Sequence, residues 1–179
     1  MTTKMTIRQV LTDMEAEIHK QGWDKIPLTI TCLHANLALS TFSINSIDTL
    51  INNCDDIPIL AHSLEPSPQI AHVIICEAWE VVEEHELPEI SASDNPDRYQ
   101  VRFAVGISPN GTIKYLERKK GEEPSFIDPP SDDLAVQIIR IVHMSYVRHV
   151  HPKKPPITSE DIITSLNNLA SEIKKAYRT

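Results

Sequence analysis

Arg98 and Arg102 stand four residues apart in the run Arg98-Tyr99-Gln100-Val101-Arg102. On a strand that spacing puts both guanidinium groups on one face, where they could clamp an anion through paired N–H donors. Arg102 also falls opposite Arg118 once the segment turns back on itself, and like charges across a sheet repel unless an acid sits between them. Glu80, on a neighbouring strand, is the expected acid. Arg98, Arg102 and Glu80 are therefore the candidate ligand-binding residues. Around Glu80 runs an acidic stretch, Glu77, Glu80, Glu83, Glu84, His85, Glu86 and Glu89. Paired carboxylates perform acid–base chemistry when their surroundings separate their pKa values. The plainer reading is a solvated edge whose charges discourage strand-to-strand aggregation.

His149 and His151, with His143 before them, are the nearest approach to a metal cluster. In an extended segment residues i and i+2 share a face, so both imidazoles could reach one ion. No neighbouring Cys or carboxylate completes four ligands, so the pattern fits histidines flanking a helix end, where a partly protonated ring suits the dipole. Cys32 or Cys76 with a histidine could form a nucleophile pair, but both lie in apolar runs and read as inert core thiols. Trp23 and Trp79 read as core anchors more readily than as pocket walls. With Gly at only 4 positions, no glycine-rich phosphate loop can be built, and there is no HExxH pattern. The sequence calls for no cofactor and shows no catalytic signature.

The elements that must carry these residues follow from periodicity. Ile7, Val10, Leu11, Met14 and Ile18 form one face of a helix, with Thr6 placed to cap it and Gly22 to end it. Leu28 to Leu33 follows Pro27, is rich in β-branched residues and reads as a strand. Ala35 to Leu39 suggests a short helix and Ser46 to Ile51 another, with Ser46 as N-cap. Ile70 to Glu83 fits either period; its β-branched content favours a strand, as does the hairpin that follows, because two strands alone are marginal in water.

Tyr99 to Arg118 is expected to be a β-hairpin turning at Ser108-Pro109-Asn110-Gly111. Asn-Gly would ordinarily suggest a two-residue loop, but Pro109 has no N–H to contribute to the hydrogen-bonded pair that loop requires. A type I turn with Pro109 second and Gly111 left-handed in a bulge places Ile107 opposite Ile113 and Val105 opposite Tyr115. Beyond it, Ser131 is expected to cap a helix through Leu134, Ile138, Ile141, Val142 and Tyr146 that ends near His149. Residues 150–157 read as a Pro/Lys linker. A last helix over 158–177 carries Ile162, Leu166, Leu169 and Ile173 as a narrow apolar seam, which must fold back on the domain or dock on another chain.

Composition narrows the functional classes. A chain of 179 residues with 41% hydrophobic and 23% charged residues is globular. The formal charge of -8 argues against nucleic acid, whose affinity comes from Lys and Arg neutralising phosphates. No run approaches the roughly 20 apolar residues of a membrane span, and the opening residues lack the apolar core of a signal peptide. Cys32, Cys54 and Cys76 are odd in number and widely spaced, which points to reduced thiols and a cytoplasmic setting.

The order of Gly22-Trp23-Asp24, the Pro27-led strand, Asn95-Pro96-Asp97-Arg98 leading into Val101-Arg102-Phe103-Ala104-Val105-Gly106, Asn110-Gly111 and the helix opening at Pro130 and Asp133-Leu134 resembles a family of small uncharacterised proteins of actinobacteria. The likeness covers residues 10–145. It departs from the family in lacking a helix before the Ile70 strand and in its tail after Tyr146. The resemblance implies a fold and a cytoplasmic setting but no chemistry.

The expected fold is α+β: an antiparallel sheet of about four strands packed by helices, forming one domain over 1–149, with the 158–177 helix appended. The leading functional expectation is a non-enzymatic interaction module, partnering itself as a homodimer or an unknown protein. The rival is a small-molecule or anion-binding protein, or an enzyme of unrecognised type, using Arg98, Arg102 and the nearby glutamates.

Overall fold

The computed structural model describes residues 5–24, 27–81, 91–92, 94–128 and 133–151. Its elements run α1 (Ile7–His19), β1 (Leu28–His34), β2 (Leu39–Ile44), α2 (Ile47–Asn53), α3 (Ile57–Leu64), β3 (Gln69–Val81), β4 (Arg98–Ile107), β5 (Ile113–Lys119), β6 (Ser125–Ile127) and α4 (Leu134–Val150). The six strands form one antiparallel sheet in the order β2-β1-β3-β4-β5-β6. The fold is α+β, and the sheet has two strands more than the sequence suggests.

The extra strands are β2 and β6. Ala35 to Leu39 is not a helix: Leu37 takes a left-handed φ of 68° in a turn, and the chain returns along β1 as β2. β6 is three residues long and, among the described residues, pairs with β5 alone. Helix α3 corrects a second expectation, because a helix does precede the Ile70 strand. Its sequence, Ile-Pro-Ile-Leu-Ala-His-Ser-Leu, has little polar contrast to mark a face.

The period-two readings hold. Ile70 to Glu83 is strand over Gln69–Val81. In the hairpin Ile107 faces Ile113, Val105 faces Tyr115 and Arg102 faces Arg118. Gly111 has φ 83°, and Ser108 N–H donates to the Thr112 carbonyl at 3.0 Å. The turn therefore has the left-handed glycine that a type I turn with a bulge requires. Thr6 and Ser46 cap α1 and α2 by accepting from Gln9 N and Thr49 N. Asp133 caps α4, accepting from Val136 N at 3.0 Å. Ser131 and the 158–177 helix, with Ile162, Leu166, Leu169 and Ile173, lie outside the described residues.

Alternation along the strands gives the sheet two apolar faces and so three layers. One face packs α1 through Val10, Leu11, Leu33, Val73, Ala104 and Leu116. At Gly106 the helix comes close: a Cβ there would stand 2.7 Å from Ile7 Cδ1 and 3.0 Å from Leu11 Cδ2. The other face packs α2, α3 and α4 over Ile30, Cys32, Ile74, Val105, Ile107 and Tyr115. Fully burying an aliphatic side chain is worth about 1.5–3 kcal/mol, and α4 alone supplies Val136, Ile138, Ile139 and Val142 to this core.

Candidate functional site

Arg102 and Arg118 sit on the α1 side of the sheet, in one row with Glu77 across β3, β4 and β5. The acid expected between the arginines is present, but it comes from α1. Glu15 accepts from Arg118 Nε at 2.8 Å and Nη2 at 2.8 Å, and from Arg102 Nη1 at 3.4 Å. Glu77 accepts from Arg102 Nε and Nη2, and Gly22 O takes a further Nη2 proton. The Trp23 ring closes over this guanidinium, 4.6 Å from Cζ. Arg102 and Glu15 are each 1% exposed or less. Two acids and two bases thus neutralise one another inside the fold.

Glu80 is on the other side of the sheet, where Tyr99 donates to it at 2.9 Å. Arg98 is exposed and lies 4.6 Å over the Trp79 ring. The three residues expected to form a ligand site therefore do not converge. All three nitrogens of the Arg102 guanidinium already donate to protein oxygens, so Arg102 binds α1 and its following loop to the sheet and offers no fork to an outside anion.

The structure instead brings histidines together at the end of the sheet where β3 begins. His62 of α3, His72 of β3, and His143 and His151 of α4 and its C-cap line a pocket of about 360 Å³. Gln69 and Tyr146 add polar atoms, while Pro68, Ile70, Pro109, Val147 and Val150 make much of the wall apolar. That volume falls within the roughly 300–1,000 Å³ range of small-molecule sites. The His72 ring meets His143 edge-on at 5.6 Å and Tyr146 at 5.5 Å, and His62 meets His149 at 5.4 Å.

The hydrogen bonds assign the His72 tautomer. Gln69 Nε2 donates to the Pro58 carbonyl at 2.6 Å, which fixes the amide and leaves its oxygen 2.7 Å from His72 Nε2. An amide oxygen only accepts, so Nε2 carries the proton and Nδ1 of the neutral ring is a bare lone pair. Gln69 is itself held by its backbone N–H, which donates to the Tyr146 hydroxyl at 2.7 Å. His72 is 1% exposed, and its Nδ1 has no hydrogen-bond partner among the described residues, as is true of His143 Nδ1 and His62 Nδ1. Burial first, then the neighbouring His143 and His34, lowers the His72 pKa to about 3. Burial also lowers that of His143. His34, behind His72 on β1, donates Nδ1–H to Ser67 O, and its Nε2 shares a 2.9 Å hydrogen bond with Ser40 Oγ.

The metal reading of His149 and His151 does not find its geometry. His149 is in the last turn of α4 and His151 is its C-cap, so the two do not share an extended face. No three metal-ligating side chains gather among the described residues. Burial raises the thiol pKa of Cys32 to about 12 and that of Cys54 to about 12, and pushes Cys76 higher. These are inert core thiols. Among the described residues no helix is long and apolar enough to cross a membrane.

The pocket was missed in the sequence because its histidines are distant in the chain, yet a signal existed. His72 is in phase with Ile74 and Cys76 on the core-facing side of β3, and His143 lies four residues from Ile139 and three from Tyr146 on the buried face of α4. A histidine in phase with a core is either satisfied internally or lines a cavity. Comparisons with protein-family models, with curated proteins and with solved structures find no match to this chain.

Proposed function

We propose that the chain is a small-molecule-binding protein whose site is the histidine-lined pocket between the start of β3 and the last turns of α4. The observation that carries this reading is the cavity of about 360 Å³ on which His62, His72, His143 and His151 converge from α3, β3 and α4 with its C-cap. Its largely apolar wall, with a few polar side chains among the lining residues, is the make-up of small-molecule sites. Binding, not acid–base catalysis, fits the site, because a ring whose pKa is near 3 is a weak base at neutral pH. The test is a thermal-denaturation screen of compact fragments against the full chain and against Val150→Trp, whose indole would fill the pocket from the final turn of α4. Fragments that stabilise the wild type and leave the variant unmoved support the site. Equal stabilisation of both places binding elsewhere.

Self-association is the second reading, and β2 favours it. This edge strand, Leu-Ser-Thr-Phe-Ser-Ile, carries no charge or proline to deter pairing, and Leu39 is exposed. A second copy adding its own β2 antiparallel would extend the sheet. Light scattering of the full chain, of Ser43→Lys and of a chain lacking residues 152–179 separates this edge from the C-terminal seam as the contact. A monomer in all three ends the reading. A cytoplasmic setting, consistent with three free cysteines, belongs to the same proposal.

A further inference from the structure

The bare edge of the sheet also points to a definite partner, a step that rests on the self-association reading above. We infer that a second copy of this chain adds its own β2 antiparallel to β2, with Thr41 on the two-fold axis.

The two edges of the sheet differ in how they meet solvent. β6 is three residues long and stands between Pro124 and Asp128, with Glu122 and Glu123 just before it. Short length, proline and charge are the devices that deter pairing at an edge. β2 has none of them: it is six residues long, without charge or proline, and among the described residues it pairs with β1 alone. Exposed apolar side chains also gather around it. Of the nine large hydrophobic residues that are exposed among the described residues, five belong here: Leu37 in the turn before β2, Leu39 in β2, and Ile47, Leu60 and Leu64 on α2 and α3, the helices that contact this strand. Such a concentration marks an interaction surface more than a solvated one.

The phase of the β1–β2 ladder decides which backbone groups of β2 are open. His34 N–H donates to the Ala38 carbonyl at 2.9 Å, so the next pair, Leu33 with Leu39, is a non-hydrogen-bonded one. Bonded pairs then recur at Cys32 with Ser40, Ile30 with Phe42 and Leu28 with Ile44. Leu39, Thr41 and Ser43 therefore turn their N–H and C=O groups away from β1, and all three residues are exposed. That pattern is its own complement. With Thr41 opposite the second copy's Thr41, Leu39 falls opposite Ser43 in both directions, and every outward N–H and C=O of the two strands finds a partner. Centring the pair on Phe42 instead moves Leu39 past the end of the facing strand, opposite Asn45. No charge comes to the axis, where like charges would repel. A two-fold pair also closes on itself, whereas β2 adding to another copy's β6 would build an open filament.

The test is disulfide trapping in the full chain, with light scattering for mass. Cα atoms of a bonded antiparallel pair lie about 5.5 Å apart, within disulfide reach, whereas an offset of four residues separates them by roughly 14 Å. Cys32 and Cys54 are buried and Cys76 is half-buried, so a thiol introduced at the edge is the accessible one, and the wild type is the blank. Under diamide, which takes up the two protons and two electrons of the thiol pair, Thr41→Cys should form a covalent dimer at least about tenfold faster than Leu39→Cys or Ser43→Cys alone. A mixture of Leu39→Cys with Ser43→Cys should link nearly as fast as Thr41→Cys. Faster linking by Ser43→Cys alone overturns the register and leaves β2 as the contact. Equal rates in all three single variants, or a full chain that stays monomeric in light scattering, overturn the second copy as the occupant of β2 and the self-association reading through this edge with it.

Discussion

Replacing Glu15 by Gln probes the buried charge cluster most severely for the least change of shape. Glu15 is 1% exposed, takes two 2.8 Å bonds from Arg118 and a longer one from Arg102, and with Glu77 balances the two arginines. The hydrogen bonds to Glu15 raise Arg118's hold on its proton, and without them the guanidinium still stays charged because its intrinsic pKa is far above neutrality. Glu15→Gln leaves Arg102 and Arg118 with one carboxylate and turns an N–H donor toward a guanidinium that has only donors. Breaking one partner of a buried pair costs about 3–5 kcal/mol, against a total stability of roughly 5–15 kcal/mol for a domain. Chemical denaturation monitored by circular dichroism reads the loss directly. Removing the arginine as well, in Glu15→Leu/Arg118→Met, should recover more than half of it, because apolar replacement of a whole buried pair is often neutral. A loss below about 1 kcal/mol for Glu15→Gln, the range of exposed pairs, would refute the reasoning, as would a double variant no more stable than the single one.

Three further outcomes follow from other parts of the fold. The folded-state pKa of His72, near 3, lies below its unfolded value of 6.5, so its contribution is complete above pH 6.5 and is lost as pH falls toward 3. Between pH 7 and 4.5 the wild type should lose roughly 2–3 kcal/mol more than His72→Leu in parallel urea titrations; equal losses would show that the ring charges freely in the fold. Gly106→Ala drives a methyl into Ile7 and Leu11 and should lower stability by about 1–3 kcal/mol, with much of this regained in Gly106→Ala/Ile7→Ala, as checked by thermal denaturation. Gly111→Ala forces a side chain onto φ 83° and should cost about 1 kcal/mol, whereas Asn110→Ala, which removes the side-chain acceptor for Thr112 N–H and Ser108 Oγ–H, loosens the turn through hydrogen bonds and leaves φ unstrained.

Local periodicity carried the parts of the fold that local forces decide. The hairpin register was legible because Pro109 excludes one turn and Gly111 permits the other, and α1 was legible because five apolar residues share one helical face. β2 was not, since its outward Thr41 and Ser43 are polar and its β character comes from pairing with β1. α3 was not, since its apolar residues do not concentrate on one face of the helix. At the charge cluster, parity along β4 and β5 foretold Arg102 facing Arg118 and the need for an acid. The acid was assigned to the wrong strand face. Glu15 stands four residues after Leu11, close to the apolar stripe of α1, and a carboxylate there was the available sign. The pocket depends on β3 and α4 meeting across 71 residues from His72 to His143, a relation set by tertiary packing alone.

The binding-site account stands on the histidine-lined cavity, and the ring nitrogens of its histidines can be observed directly. A long-range proton–nitrogen correlation spectrum of the full chain at pH 7 should show His72 protonated at Nε2 and bare at Nδ1, with the ring resonances of the pocket histidines moving as a stabilising fragment enters. A ring protonated at Nδ1 would contradict the hydrogen-bond assignment, and histidine resonances that no stabilising fragment moves would contradict the binding site.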